Sequence, residues 1–222
     1  MMALKLYFHP LASFCHKVLI ALYENALPFD PVIVDLGNET SREAFRQVWP
    51  PLKFPVLVDE ARQATVAESA TVIDYLDSFA TPERPLIPHD PDLAWQARMW
   101  DRLFDDMLQM PMQKVVLDAL RPADSRDPFG VEQAKTDIRT AFAFMEERWS
   151  QAGWAIGPDF TLADCSAAPA LFYADTICPL GEDFPRLKAY FKRLKQRPSV
   201  ARVMREAQPY FPMFPLNPKP SI

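Results

Sequence analysis

Three cysteines, at positions 15, 165 and 178, are too few and too scattered for a disulfide scaffold, a CxxC pair or a metal-ligand cluster, and they fit a reducing compartment. Positive charge is not in excess either. Twenty-four basic residues against 29 acidic ones give a net charge of −5, which removes the electrostatic case for nucleic acid or an anionic membrane. The basic cluster Lys188, Lys192, Arg193, Lys195 and Arg197 reads as the solvated face of a helix. No apolar run approaches the ~20 residues of a membrane span, and Lys5 and His9-Pro10 interrupt the apolar residues near the start. The expectation is a soluble cytoplasmic protein with no metal, no nucleic-acid partner and no membrane partner. At 222 residues it is long enough for two small domains.

The first 80 residues alternate strand and helix patterns. Residues 4–8 read as a short strand ended by His9-Pro10. Phe14, Val18, Ala21 and Leu22 recur at i, i+4, i+7 and i+8, so a helix packs one face on a sheet, with Ser13 at its N-terminal edge. A second strand over residues 29–34, a short helix over 42–48, a third strand over 54–58, a hairpin strand and a helix carrying Val72, Ile73, Leu76 and Phe79 follow. That order is an α/β, thioredoxin-like layout over residues 1–80. Prolines 82, 85, 88 and 91 make residues 81–91 a stiff linker.

Residues 92–222 are dominated by helical periodicity, which predicts an all-α helical-bundle domain. Trp95, Met99, Leu103, Met107 and Met110 form one stripe and Ile138, Phe142, Met145 and Trp149 another, both read mainly as core. In Phe160-Thr161-Leu162-Ala163-Asp164-Cys165, Thr161 is placed as an N-cap with Asp164 reaching back to its amide and Phe160 stapling against Cys165. Asp164 is therefore a folding residue. Leu187, Tyr190, Phe191 and Leu194 mark one more amphipathic helix, and Pro198 opens a shorter one. Residues 208–222, with five prolines and three aromatics, are expected to be irregular, with Tyr210, Phe211 and Phe214 packed back on the protein.

The chemistry is concentrated in residues 53–69. Lys53-Phe54-Pro55 opens an apolar strand, and because proline cannot donate to a ladder, Phe54 and Pro55 belong at an edge or bend where backbone groups meet a peptide-like ligand. Glu68 and Ser69 stand where the next helix begins. Its N-terminus favours a carboxylate, and Glu68 offers a partner for an ammonium. Taken singly, Glu68 reads equally as a first-turn carboxylate and Ser69 as an N-cap; the ordered combination is what points to a ligand.

This combination resembles the glutathione site of the cytosolic glutathione transferases. The resemblance implies that Pro55 is cis, that the Phe54 backbone pairs with the cysteinyl part of glutathione as a miniature strand addition, that Glu68 and Ser69 hold the γ-glutamyl end, and that Lys53 meets the glycine carboxylate. It also implies glutathione as co-substrate, a small hydrophobic electrophile as the other partner, a role in detoxification, and a homodimer with the 68–79 and 95–110 helices near the interface. The family places serine, tyrosine or cysteine in the loop where Ala12-Ser13-Phe14-Cys15 lies. Aligning on residues 18–22 puts Ala12 at the position of the common serine. Ser13 is the next residue on, and because the zeta-like branch uses a serine pair there, Ser13 is the candidate catalytic residue; the alternative is that it only caps the first helix. Cys15 matches the second cysteine of a thioredoxin-type pair and is expected to be buried. His9, Trp95, Met99 and Met110 are candidates for contact with the electrophile, methionine being adaptable to varied apolar ligands. The expected function is conjugation of glutathione to that electrophile. The alternatives are a zeta-like glutathione-dependent isomerase and a glutathione- or ligand-binding protein with little turnover, for which Ala12 is the argument.

Overall fold

In the computed structural model, which describes residues 4–79, 85–148 and 153–222, the chain divides into two units, Met1–Leu86 and Ile87–Ile222. The linker positions 81–84 and the helix position Trp149 lie outside the described residues.

The first unit is built on a four-stranded sheet. In β1 (Leu4–Phe8) buried Leu4, Leu6 and Phe8 alternate with half-buried Lys5 and Tyr7, the period-two pattern of a strand with one face in the core. β2 (Asp30–Ile33) runs parallel to β1, β3 (Val56–Asp59) antiparallel to it, and β4 (Ala64–Ala67) antiparallel to β3, in the order β2-β1-β3-β4. β2 is shorter than the expected 29–34 and buries none of its residues fully. Its Pro31 is tolerated because an edge strand needs ladder bonds on one side only.

The helices of this unit depart from expectation in two places. α1 (Ser13–Glu24) buries every residue from Cys15 to Leu22, His16 and Lys17 included, so it has no solvent face over that span. α3 (Ser69–Asp77) packs directly on it. α2 (Glu39–Val48) starts three residues before the expected 42–48, because Asn38 caps it by accepting from the Ser41 amide at 3.0 Å and Glu39 sits favourably in its first turn. Phe45 of α2 is buried with Val34 and Val56 in a small core that Tyr7, Trp49 and Phe54 complete.

The second unit is helical throughout. α4 (Pro91–Phe104) passes through one π-helical turn, Asp105–Gln109, into α5 (Met110–Ala119); α6 (Pro128–Arg148), α7 (Leu162–Ile177), α8 (Pro185–Gln196) and α9 (Pro198–Ala207) follow. α7 is the centre, buried from Leu162 to Ala174. The Asp164 carboxylate accepts from the Thr161 amide at 2.9 Å, the Ala155 amide at 2.8 Å and the Tyr190 hydroxyl at 2.6 Å. It is thus a folding residue, and burial raises its pKa although all these donors pull the other way.

The Trp95 stripe is not core. Trp95, Met99 and Met110 are 54%, 41% and 52% exposed, and α4 instead buries Ala97, Trp100, Asp101 and Phe104. Small residues of α7, among them Ala163, Ala167 and Ala170, admit that face, and the buried Ser166 hydroxyl donates to Asp101. The inward face thus joins two large aromatic rings and an alanine to one hydrogen-bonded polar pair. Ile138, Phe142 and Met145 are buried. The tail is more regular than expected, since Gln208–Met213 forms a 3-10 helix. It holds Phe211 against Phe172 at 5.7 Å and Phe214 against Tyr173 at 5.8 Å, between ring centroids, with Tyr210 half-buried. Among the described residues no helix is long and apolar enough to cross a membrane.

Candidate functional site

The site forms in the first unit where three chain segments end beside one another. The Phe54–Pro55 peptide is cis, and the ladder begins only at Val56, paired with Tyr7 on one side and Ala67 on the other. Phe54 therefore lies beyond the ladder instead of inside the expected 54–58 strand. Its ring is seated 6.4 Å from Phe45 and 6.1 Å from His9, which fixes the backbone that follows. Pro55 is buried and Lys53 exposed.

Antiparallel register carries the second segment to the same place. Because Val56 pairs with Ala67, the next residues outward, Pro55 and Glu68, face each other across the end of the β3–β4 hairpin. Glu68 occupies the N-cap position of α3 with φ 66° and ψ 119°, and its side chain makes no capping hydrogen bond. Its carbonyl accepts the first helical bond, from the Val72 amide at 2.8 Å. Ser69 is the first helical residue and is buried. Neither simpler reading survives: Glu68 is not in the first turn, and Ser69 is not the N-cap. A non-glycine residue held at such a positive φ costs about 1–3 kcal/mol and persists where its surroundings dictate it, commonly at ligand sites. The exposed carboxylate is left to face solvent beside the open end of β3.

The third segment is the turn from His9 to Ser13. The Ala12 amide donates to the His9 carbonyl at 3.0 Å and the Leu11 amide to His9 Nδ1 at 3.2 Å. From inside α1, His16 Nε2 donates to the Pro10 carbonyl at 2.6 Å, and burial pulls the His16 pKa down to about 4, so the ring is neutral at physiological pH. Ala12 takes the N-cap position without a side chain to cap with, and Ser13 is the first residue of α1. The Ser13 side chain is buried and makes no hydrogen bond among the described residues, so it does not cap the helix. Cys15 is fully buried, and desolvation pushes its thiol far above the range in which thiolate forms near neutral pH.

Profiles of two domains match this chain, the glutathione S-transferase N-terminal domain over residues 6–84 and the glutathione S-transferase C-terminal domain over residues 128–193. The chain belongs to the cytosolic glutathione S-transferase superfamily. A glutathione S-transferase of Pseudomonas putida is 25% identical over 220 residues, 95% of this chain and 96% of that one. A probable maleylacetoacetate isomerase of Caenorhabditis elegans is 28% identical over 172 residues, 77% of this chain and 78% of its own. Among solved structures, a glutathione S-transferase of Methylobacterium radiotolerans in complex with glutathione sulfonate is 26% identical, with a TM-score of 0.78 over 90% of this chain and 94% of that one.

Within this transferase fold, Ser13, His9, Lys53, Phe54, Pro55, Glu68 and Ser69 all fall in the first unit. Trp95 and Met99 share the exposed side of α4, and Met110 opens α5 after the π-helical turn, so these three belong to the second unit. Sequence reasoning missed His16, which anchors the Ser13 turn; a histidine inside an amphipathic pattern carries no signal that it will be buried. It also missed the backbone strain at Glu68, which no residue type announces. Among the described residues no cluster of three or more histidine, cysteine or acidic side chains is placed to hold a metal ion.

Proposed function

We propose that this protein conjugates glutathione to a small hydrophobic electrophile. The observation that carries the reading is Glu68, which stands at the N-cap of α3 at φ 66° with no capping hydrogen bond from its exposed side chain, and whose backbone lies across the end of the β3–β4 hairpin from Pro55. That arrangement offers backbone groups to a cysteinyl residue and a carboxylate with a helix N-terminus to a γ-glutamyl group. Lys53, exposed one residue before Phe54, supplies a cation for the glycine carboxylate.

The chemical demand on the chain is modest. A thiol with a pKa of about 8.5 must be lowered by ~1.5 units, near 2 kcal/mol, to be half ionised at pH 7. A donor to a charged acceptor contributes about 1.5–3 kcal/mol, and the N-terminus of α1 adds roughly 0.3–1 kcal/mol in the same direction. Ser13 donates its hydroxyl hydrogen to the thiolate without transferring it. The thiol proton leaves to solvent, the sulfur lone pair forms the bond to the electrophilic carbon, and the electrophile takes up the displaced electron pair. The exposed Trp95, Met99 and Met110 offer apolar surface to the electrophile or to a second protomer of a homodimer; sedimentation at micromolar concentration giving a monomer would rule out the dimer.

A second reading has its own support. Maleylacetoacetate isomerase names occur among the relatives, and an isomerase of the zeta type would use the same thiolate as a nucleophile that is regenerated. Low-turnover ligand binding rests on Ala12, which removes a donor from the common serine position. Thiolate absorbance of bound glutathione against pH, with turnover on a panel of electrophiles, separates these. Ser13→Ala is expected to raise the thiol pKa by about one to two units with little loss of affinity, and Cys15→Ala to leave it unchanged. A shift confined to Cys15→Ala overturns the serine mechanism, and binding without turnover on any electrophile favours the low-turnover reading.

A further inference from the structure

A cavity of about 260 Å³ lies wholly in the second unit, between the C-terminal ends of α5 and α7, the first turns of α6 and the tail. Val115, Ala119, Val131, Ile177 and Leu216 supply its apolar wall, and none of Trp95, Met99 and Met110 takes part in it. The tail is held on both sides of Leu216. Phe211 and Phe214 pack against Phe172 and Tyr173 of α7, and the Lys219 ammonium donates back to the Phe214 carbonyl. The cavity is therefore preformed, and a ligand entering it would not have to order its wall.

Charge around this cavity is unevenly matched. Asp118, the acidic residue of the wall, accepts from the Asp127 amide at 2.8 Å and from Arg121 at 3.4 Å, so its charge is already answered. Lys135, also in the wall, is bonded to Glu132 at 2.7 Å, but that carboxylate is 72% exposed and screened by water. Arg126 differs from both. Among the described residues no carboxylate lies within ion-pair distance of it, and its guanidinium makes one hydrogen bond, to the Ala119 carbonyl at 3.4 Å. Because Ala119 is itself part of the wall, that bond sets the guanidinium at the edge of the cavity, with N–H donors to spare.

We propose that this cavity binds a small amphipathic carboxylate, with its apolar body against Val115, Val131 and Ile177 and its carboxylate on the Arg126 guanidinium. The planar fork of an arginine matches a carboxylate in both charge and geometry, and Lys135 adds positive charge to the same wall. The volume falls below that of sites for drug-sized molecules, which limits the body to about one ring on a short chain. The site is separate from the residues assigned to glutathione, all of which belong to the first unit, and it binds without reaction.

The test uses the full chain and three probes of one shape, phenylbutyrate, phenylbutanol and phenylbutylamine, each with its ring at the far end of the chain. Calorimetry is expected to give the carboxylate a Kd of roughly 0.1–1 mM, and the alcohol and the amine values at least about tenfold higher, the difference made by one charge-assisted hydrogen bond. Arg126→Gln, at an exposed position, should weaken the carboxylate about tenfold and leave the alcohol unchanged. Amide shifts of isotope-labelled protein should move at Ala119, Val131 and Ile177 as the carboxylate is added. Shifts confined to residues 9–13 and 53–69 would put the ligand at the glutathione site and overturn the proposal. Equal affinity for the three probes, or unchanged carboxylate affinity in Arg126→Gln, would overturn it as well. Tighter binding of the amine would assign the cavity to Asp118 instead, and no binding of the carboxylate at millimolar concentration would leave it without the ligand class proposed.

Discussion

Replacing Glu68 should move stability and ligand affinity in opposite directions, depending on what replaces it. At φ 66° and ψ 119° the backbone sits where a side chain is unwelcome, at a cost of about 1–3 kcal/mol. Glu68→Ala keeps the Cβ and so keeps the strain; Glu68→Gly removes both. Glycine also gives back about 0.5–1 kcal/mol through the freer unfolded chain, leaving Glu68→Gly more stable than Glu68→Ala by ~0–2 kcal/mol. For a chain of this size each kcal/mol is about 2–4 °C in Tm, so thermal unfolding should place the glycine variant a few degrees above the alanine one. Both variants lose the carboxylate and should bind glutathione roughly ten- to a hundredfold more weakly, as loss of a charged hydrogen-bonding partner implies. A glycine variant markedly less stable than the alanine one would refute the strain argument. Unchanged affinity in two folded variants would refute the γ-glutamyl assignment.

Two further outcomes follow from buried groups remote from that carboxylate. Thr161→Ala removes a side chain from the start of α7, whose partner Asp164 also fixes Ala155 and Tyr190, and should cost about 0.5–2 kcal/mol by denaturant unfolding with glutathione affinity unchanged at temperatures where the protein is folded. All three cysteines are buried, and burial raises the thiol pKa of both Cys15 and Cys178, so a disulfide reagent at pH 7–8 should label the native protein far more slowly than the unfolded one; rapid labelling of Cys15 would contradict its placement inside α1.

Much of the first unit was readable because its signals are local. The alternation in residues 4–8, the proline at 55 and the turn before Glu68 each constrain the backbone within a few residues. The thioredoxin-like order of elements follows from such signals. What escaped is what depends on partners distant in sequence. α2 starts three residues before its expected 42–48 because Asn38, three residues before Ser41, caps it by accepting from the Ser41 amide. The inward face of α4 differs from the methionine stripe because Ala97, Trp100 and Phe104 pack on small residues of α7 far along the chain, with Asp101 bonded to Ser166 on the same face. The positive φ at Glu68 falls at the single residue joining β4 to α3, and the identity of the residue carries no trace of it. The periodicity already places Ser13 at the N-terminal edge of the first helix and the resemblance singles it out as donor; that Ala12 and not Ser13 takes the N-cap depends on the turn that His9, Pro10 and His16 hold together.

The most direct measurement is a crystal structure of this protein with glutathione bound, read for the groups within hydrogen-bond reach of each part of the ligand. The cysteinyl backbone is expected to pair with Phe54, the γ-glutamyl group to lie at Glu68 and Ser69, and the sulfur to lie within about 3.5 Å of the Ser13 hydroxyl. Glutathione bound away from the end of the β3–β4 hairpin, or a sulfur approached by neither Ser13 nor its neighbours in the turn, would contradict it.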